Sequence, residues 1–310
     1  MIEKNPSNQT KLFGLDKYLL DLIGLFKNDK LPSKLLLSGQ KGIGKSTLAY
    51  HLINFILSEN EEFSYNLDKF EINPKNHSFI TLSNKSNINF FIIDMNSDNK
   101  SIDINQIREL KSKLSKSSFN DKPRFVLIDN IEHLNINSIN ALLKILEEPT
   151  LNLHFILINN NKKVLRTLLS RCINYKISLS NKDNLEIANK LLNQNVNTLI
   201  NKDLLNYYFS PGDIYRLVKF GTDNDYNLKD MSLNDLLKTI ITNNHYKKDI
   251  AFRYLFFDLI EFYFSKFRHS MALDIHNKYN YFLKRISDTK KFNLDEESLL
   301  IEFEDKLLNG

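Results

Sequence analysis

At 310 residues, 42% of them hydrophobic and 25% charged, the chain has the balance of an ordinary globular protein of two or three domains, not of a disordered or membrane chain. Its net charge of +5 comes from 42 basic against 37 acidic residues scattered without a long basic block, which permits contact with nucleic acid without announcing it. Cys172 is the single cysteine, which excludes an internal disulfide and a multi-cysteine zinc site.

The start, Met1 to Thr10, is polar and lacks an apolar run with a small-residue cleavage site, so no secretion signal is expected. The longest apolar candidate, Tyr254 to Phe264, is interrupted by Asp258 and Glu261 and falls short of the roughly 20 residues a spanning helix needs. The expected compartment is the reducing cytoplasm, with no membrane partner.

In chain order, Leu35-Leu36-Leu37 reads as a strand and Ser46 to Leu57 as the helix after it. Phe90 to Ile93 is a second buried run, followed by a capping box, Asp103-Ile-Asn-Gln106, that starts a helix through about Leu114. Phe125 to Ile128 is a third strand. Asn135 then caps a helix from Ile136 to Leu146 that Pro149 stops. Phe155 to Ile158, a short helix from Val164 to Leu169, and Ile173 to Ile177 complete a five-stranded α/β pattern with a parallel sheet. After about Leu179 only helical periodicity remains, broken near Asn195, Ser210-Pro211-Gly212 and Thr222 to Tyr226. The expected domains are 1–178, α/β and nucleotide-binding; 179–222, a small helical lid; and 223–310, an all-α bundle. The Phe and Tyr stripe of the bundle, Phe252 to Phe267, reads as core.

Gly39-Gln-Lys-Gly-Ile-Gly44-Lys45-Ser46 fits G-x-x-x-x-G-K-[ST], with a strand before it and a helix after it. Glycines at 39, 42 and 44 leave backbone N–H groups unhindered, and the helix aims its positive end at an anion. Lys45 would meet the outer phosphates of ATP, Ser46 would help to hold Mg²⁺, and Thr47 continues the binding turn. Such a loop needs an acid at the end of a buried strand to neutralise the metal, and Asp129 stands there. His133 and His154 lack metal-ligand spacing.

Leu31-Pro-Ser-Lys-Leu-Leu-Leu-Ser-Gly39, Asn140-Ala-Leu-Leu-Lys-Ile-Leu-Glu-Glu-Pro149 and Ser170-Arg171-Cys172 together resemble the bacterial clamp-loader subunits of the AAA+ class, with a weaker echo in Phe292-Asn-Leu-Asp295. The resemblance implies a P-loop AAA+ domain with a parallel five-stranded sheet, a helical lid and a C-terminal collar. It also implies a heteropentamer with other clamp-loader subunits, acting on a sliding clamp and on primer-template DNA during replication. Arg171 holds the position of an arginine that reaches a neighbour's ATP in trans. Cys172 reads as a small hydrophobe opening the next strand. The polar residue that senses the terminal phosphate would be Asn159 or Asn160.

Three departures set the subtype. Asn130 follows Asp129 where active subunits have Glu, and an amide cannot take a proton from water, so hydrolysis by this chain should be weak or absent. Glu132, two residues on, would need an unusual backbone path to replace it. The lid motif reads Phe209-Ser-Pro-Gly-Asp213, without its usual arginine; Arg216 is either a substitute or an ordinary solvated arginine. Residues 59–100 contain no cysteine, so the zinc module of many relatives is missing. The expected subtype resembles delta-prime, a chain that binds or once bound ATP and lends an arginine outward. An active motor ATPase and a nucleotide-free scaffold stay open beside it. Lys111, Lys113, Lys116 and Lys144 are either DNA-phosphate contacts or a solvated face.

Overall fold

In the computed structural model the described residues are 5–95, 101–116, 120–148, 152–205, 209–247, 250–267, 280–286, 288–289 and 295–308. They fall into two compact units, Ile2–Ile187 and Ala188–Gly310.

The first unit is built on five parallel strands, β1 (Lys34–Ser38), β2 (Phe90–Ile93), β3 (Arg124–Ile128), β4 (Leu153–Asn159) and β5 (Ile173–Lys176), in the order β2-β3-β4-β1-β5. Its helices are α1 (Asp16–Lys27), α2 (Lys45–Leu57), α3 (His77–Ser83), α4 (Ile104–Leu114), α5 (Ile136–Glu147) and α6 (Arg166–Leu169). Successive strand residues point to opposite faces, which divides the apolar runs between two cores. Leu35, Leu37, Leu127 and Ile158 pack with Leu19 of α1 and Leu48 of α2; Leu36, Val126, Ile128 and Leu157 pack with Leu110 of α4 and Leu142 of α5. Each such side chain contributes about 1.5–3 kcal/mol on burial, so both layers of helices are held to the sheet by its continuous apolar runs.

The expected strands and their helices are present, within a residue or two at most ends. Asp103 and Gln106 form the capping box of α4, and the Asn135 side chain accepts from Ser138 N at the start of α5. Two helices carried no start signal. Leu15 precedes α1 without a side-chain cap, and α3 is capped by Asn76 in a segment where asparagine is too common to stand out. Pro149 and residues 292–294 lie outside the described residues.

The second unit is helical among its described residues. After α7 (Asn181–Leu192), which crosses the boundary, come α8 (Val196–Leu199), α9 (Pro211–Asp223), α10 (Leu233–Thr242), α11 (Ile250–Phe267) and a helix over Glu296–Phe303. Reciprocal capping boxes, Ser210 with Asp213 and Ser232 with Asp235, open α9 and α10. Within the aromatic stripe Phe252, Phe256, Phe257 and Phe264 are buried, and the rings of Phe264 and Phe282 stand 5.7 and 5.6 Å from that of Phe303. Among the described residues, no helix is long and apolar enough to cross a membrane.

Candidate functional site

The register Ser38↔Asn159 and Ile128↔Leu157 brings the carboxyl ends of β1, β3 and β4 side by side, beside the point where the strand order turns back at β1. Ligands of open parallel sheets bind in that crevice. The loop from Gly39 to Gly44 leaves the end of β1, and Gly39 N donates to Asn159 O at 3.3 Å, which ties the loop to β4. A Cβ at Gly39 would stand 2.4 Å from the Ile177 carbonyl oxygen, so only glycine fits there. Gly42 and Gly44 have φ of +83° and +95°, which other residues reach only with strain. Gly44 is the N-cap of α2, and no side chain caps that helix, so its first-turn N–H groups face the loop. Thr47 follows in the same first turn.

Lys45 is buried, and its Nζ donates to Gly39 O at 2.9 Å, Gln40 O at 2.6 Å and Asn160 Oδ1 at 2.9 Å. Burial lowers its pKa to about 8, against the pull of Asp129 and Glu132. Ser46 Oγ donates to Asp129 Oδ2. Burial pushes the Asp129 carboxyl up to about 6, although the bonds it accepts from the Ser46 hydroxyl and the Asn130 backbone N–H favour its charged form. A hydroxyl on a carboxylate, next to a lysine and a glycine loop, is the donor set a magnesium triphosphate requires, so the residues present fit ATP and Mg²⁺.

The structure brings Asn160 to this site and turns Asn159 away. Asn159 bonds with both its amide atoms to the Lys162 backbone, closing the turn after β4. Asn160 accepts from Lys45 and donates from Nδ2 to Asn130 Oδ1 at 2.9 Å and to Glu132 Oε1 at 2.8 Å. Asp94, at the end of β2, accepts from Asn130 Nδ2 at 2.9 Å and adds its charge to that felt by Asp129. Its signal was available, an acid after a buried strand, the same that marked Asp129.

A family model described as DNA polymerase III, delta subunit, matches residues 15–181, more than half of the chain. The chain belongs to that family. Delta' of DNA polymerase III from Buchnera aphidicola subsp. Schizaphis graminum (strain Sg) is 25% identical over 277 residues, 86% of this chain and 82% of that one. Delta' from subsp. Baizongia pistaciae (strain Bp) is 31% identical over 170 residues, 53% of this chain and 48% of that relative. The gamma subunit of the Schizaphis graminum strain is 30% identical over 182 residues, 58% and 47%. Against the last two, the match spans about half of the relative's length. A crystal structure of a DNA polymerase III gamma subunit-related protein from Thermotoga maritima MSB8 superposes with a TM-score of 0.50 at 17% identity, covering 91% of this chain and 96% of the other. With the glycine loop and the parallel sheet, that likeness identifies the fold as the P-loop AAA+ fold.

In this DNA polymerase III delta-family chain, the remaining expected residues have partners of their own. Arg171 follows α6 on the surface, its side chain about a third exposed; its Nε and Nη2 donate to Glu147 Oε1 at 3.0 and 2.5 Å, and its Nη1 to Thr167 O at 2.8 Å. Cys172 is partly buried against the α5 side of the sheet, as a small hydrophobe would be, and burial raises its thiol to about 11. In the helical unit, Arg216 pairs with Asp213 at 2.8 Å. Asp213 itself serves the capping box of α9, which gives an acid at that position a structural use. Lys111 pairs with Glu148 at 2.8 Å. His154 stacks on Phe125, ring centroids 5.4 Å apart, and no metal-holding cluster occurs among the described residues.

Proposed function

We propose that this chain is a delta-prime-like clamp-loader subunit that holds Mg-ATP without being the principal motor and lends Arg171 to a neighbour's ATP site in trans. The observation that carries the reading is the meeting of Ser46 with Asp129 beside Lys45, in a chain of this family whose residue after Asp129 is an amide. Gly39, Gly42, Gly44 and Thr47 line the loop, Ser46 and Asp129 hold the metal, and Asn160, in place of Asn159, reports on the terminal phosphate. Mg²⁺, when bound, would be held by Ser46 and Asp129 and would supply positive charge that offsets the phosphates. Lys45 orients the outer phosphates, while Asn130 fixes the backbone after Asp129 without being able to take a proton.

Names of the relatives support assembly with other polymerase III subunits: residues 1–178 would form the ATP-binding domain, 179–222 a lid and 223–310 a collar. Partners on this reading are the other members of a heteropentamer, the sliding clamp and primer-template DNA, in the cytoplasm. Arg216, engaged by Asp213, would have to exchange that partner before it could meet a nucleotide. Equilibrium titration of the full chain with a fluorescent ATP analogue and Mg²⁺ tests the binding half. Saturable binding is expected, with roughly 100-fold weakening in Lys45→Ala, because charge-assisted bonds to phosphate are lost. Absence of saturable binding by the wild-type chain would leave the scaffold reading in its place.

A further inference from the structure

The sequence places Glu132 two residues after Asn130, where an acid reaches the site only by an unusual backbone path, and the backbone there is unusual. Asn130 is left-handed, with φ of 55° and ψ of 48°, an arrangement asparagine tolerates better than most residues. The chain then enters a single 3-10 turn, Ile131–His133, anchored from below by Ile131, which is buried in the α5-side core. From above, the His133 carbonyl accepts from Ile102 N at 2.8 Å. With Ile131 pointing inward, Glu132 points to the carboxyl end of β4, where Oε1 accepts from Asn160 Nδ2 at 2.8 Å and Oε2 from Asn160 N at 3.4 Å.

The Asn160 amide has one consistent orientation, because its nitrogen faces two acceptors, Asn130 Oδ1 and Glu132 Oε1, while its oxygen faces the Lys45 ammonium. One side-chain amide therefore separates the Glu132 carboxylate from the P-loop lysine. Resting on the reading of that loop as a nucleotide site, we propose that Glu132 is the carboxylate that faces the terminal phosphate in this chain and sets its preference between triphosphate and diphosphate. A negative charge there opposes a third phosphate more than a second. Through Asn160 it also holds Lys45 on the protein side, and a phosphate must win Lys45 from that hold.

The test is titration of the full chain with fluorescent ATP and ADP analogues in the presence of Mg²⁺, for wild type and Glu132→Gln. Glutamine keeps the acceptor for Asn160 and removes only the charge, so the fold is preserved; a matching thermal melt checks that. The ratio of ADP to ATP dissociation constants is expected to rise about five-fold in Glu132→Gln, the size of one charge repulsion in a partly solvated site, and to come from tighter ATP binding. Glu132→Asp, which keeps the charge and withdraws it by one methylene, should move the ratio less and in the same direction. An unchanged ratio, or weaker ATP binding by Glu132→Gln, would overturn the proposal while leaving nucleotide binding intact. No binding of either nucleotide to the wild type would instead overturn the nucleotide reading and this proposal together.

Discussion

Lys45 is buried and Asp129 half-buried, where desolvation dominates its titration, whereas Arg171 lies at the surface, with 34% of its side chain exposed and Glu147 opposite it 55% exposed. Burial lowers the lysine pKa to about 8 and raises the carboxyl to about 6, so both groups stay ionised at neutrality but at a desolvation cost that a ligand of opposite sign would relieve. The arginine is poised differently. Its partners are the exposed Glu147 carboxylate and the Thr167 carbonyl, and an exposed ion pair is worth about 0–1 kcal/mol, so exchanging Glu147 for another anion would cost little. Lys45 and Asp129 store unfavourable electrostatics, whereas Arg171 is paired at the surface.

The largest effect that would break this contrast belongs to Arg171. Arg171→Ala in a reconstituted complex should lower clamp-stimulated ATP turnover on the order of 10³-fold, the usual worth of an arginine supplied in trans, while the melting temperature of the isolated chain hardly moves. Turnover at the wild-type level would remove the outward role.

Next in size is the pH response of Asp129. Its folded pKa lies above the ordinary carboxyl value, so it contributes stability that is fully present below about pH 4 and is lost as pH rises through about 6. Asp129→Asn should therefore gain on the order of 2 kcal/mol relative to wild type between those limits, measured by urea unfolding across pH, and should lose magnesium dependence of nucleotide binding. In the wild type, magnesium-dependent binding should strengthen as pH rises through about 6, where Asp129 ionises, and fall off above about 8, where Lys45 loses its proton. A flat difference between Asp129→Asn and wild type over that window would contradict a desolvated carboxylate.

The smallest effect sharpens the other side. Glu147→Gln should change unfolding free energy by less than about 1 kcal/mol, because the pair it removes is solvated. A loss well above that would mean that Arg171 is fixed in place by Glu147 and not merely resting on it.

Much of this was legible in the chain. Apolar runs bounded by polar turns marked the strands, the spacing of Gly39, Gly44 and Lys45 marked the loop, and the acid after a buried run marked Asp129. The same rule applied to Phe90–Ile93 would have marked Asp94. The choice between Asn159 and Asn160 was not legible, since the two residues are identical in type and adjacent. The closing of the turn after β4 took one amide for the Lys162 backbone and left the other for Lys45. Glu147 had no signal as a partner for Arg171, because the two are joined only by the packing of α5 and the α6 turn against the same face of the sheet.

By itself the sequence determined the layered α/β architecture, the phosphate loop and the amide at Asn130, because hydrophobic period, glycine conformation and side-chain chemistry act locally. Packing in three dimensions sets Asn160 against Lys45 with Glu132 behind it, and rests Arg171 on Glu147. Those pairings depend on a left-handed backbone at Asn130 and on strand ends brought level by the register of β1, β3 and β4, geometry that no spacing along the chain encodes.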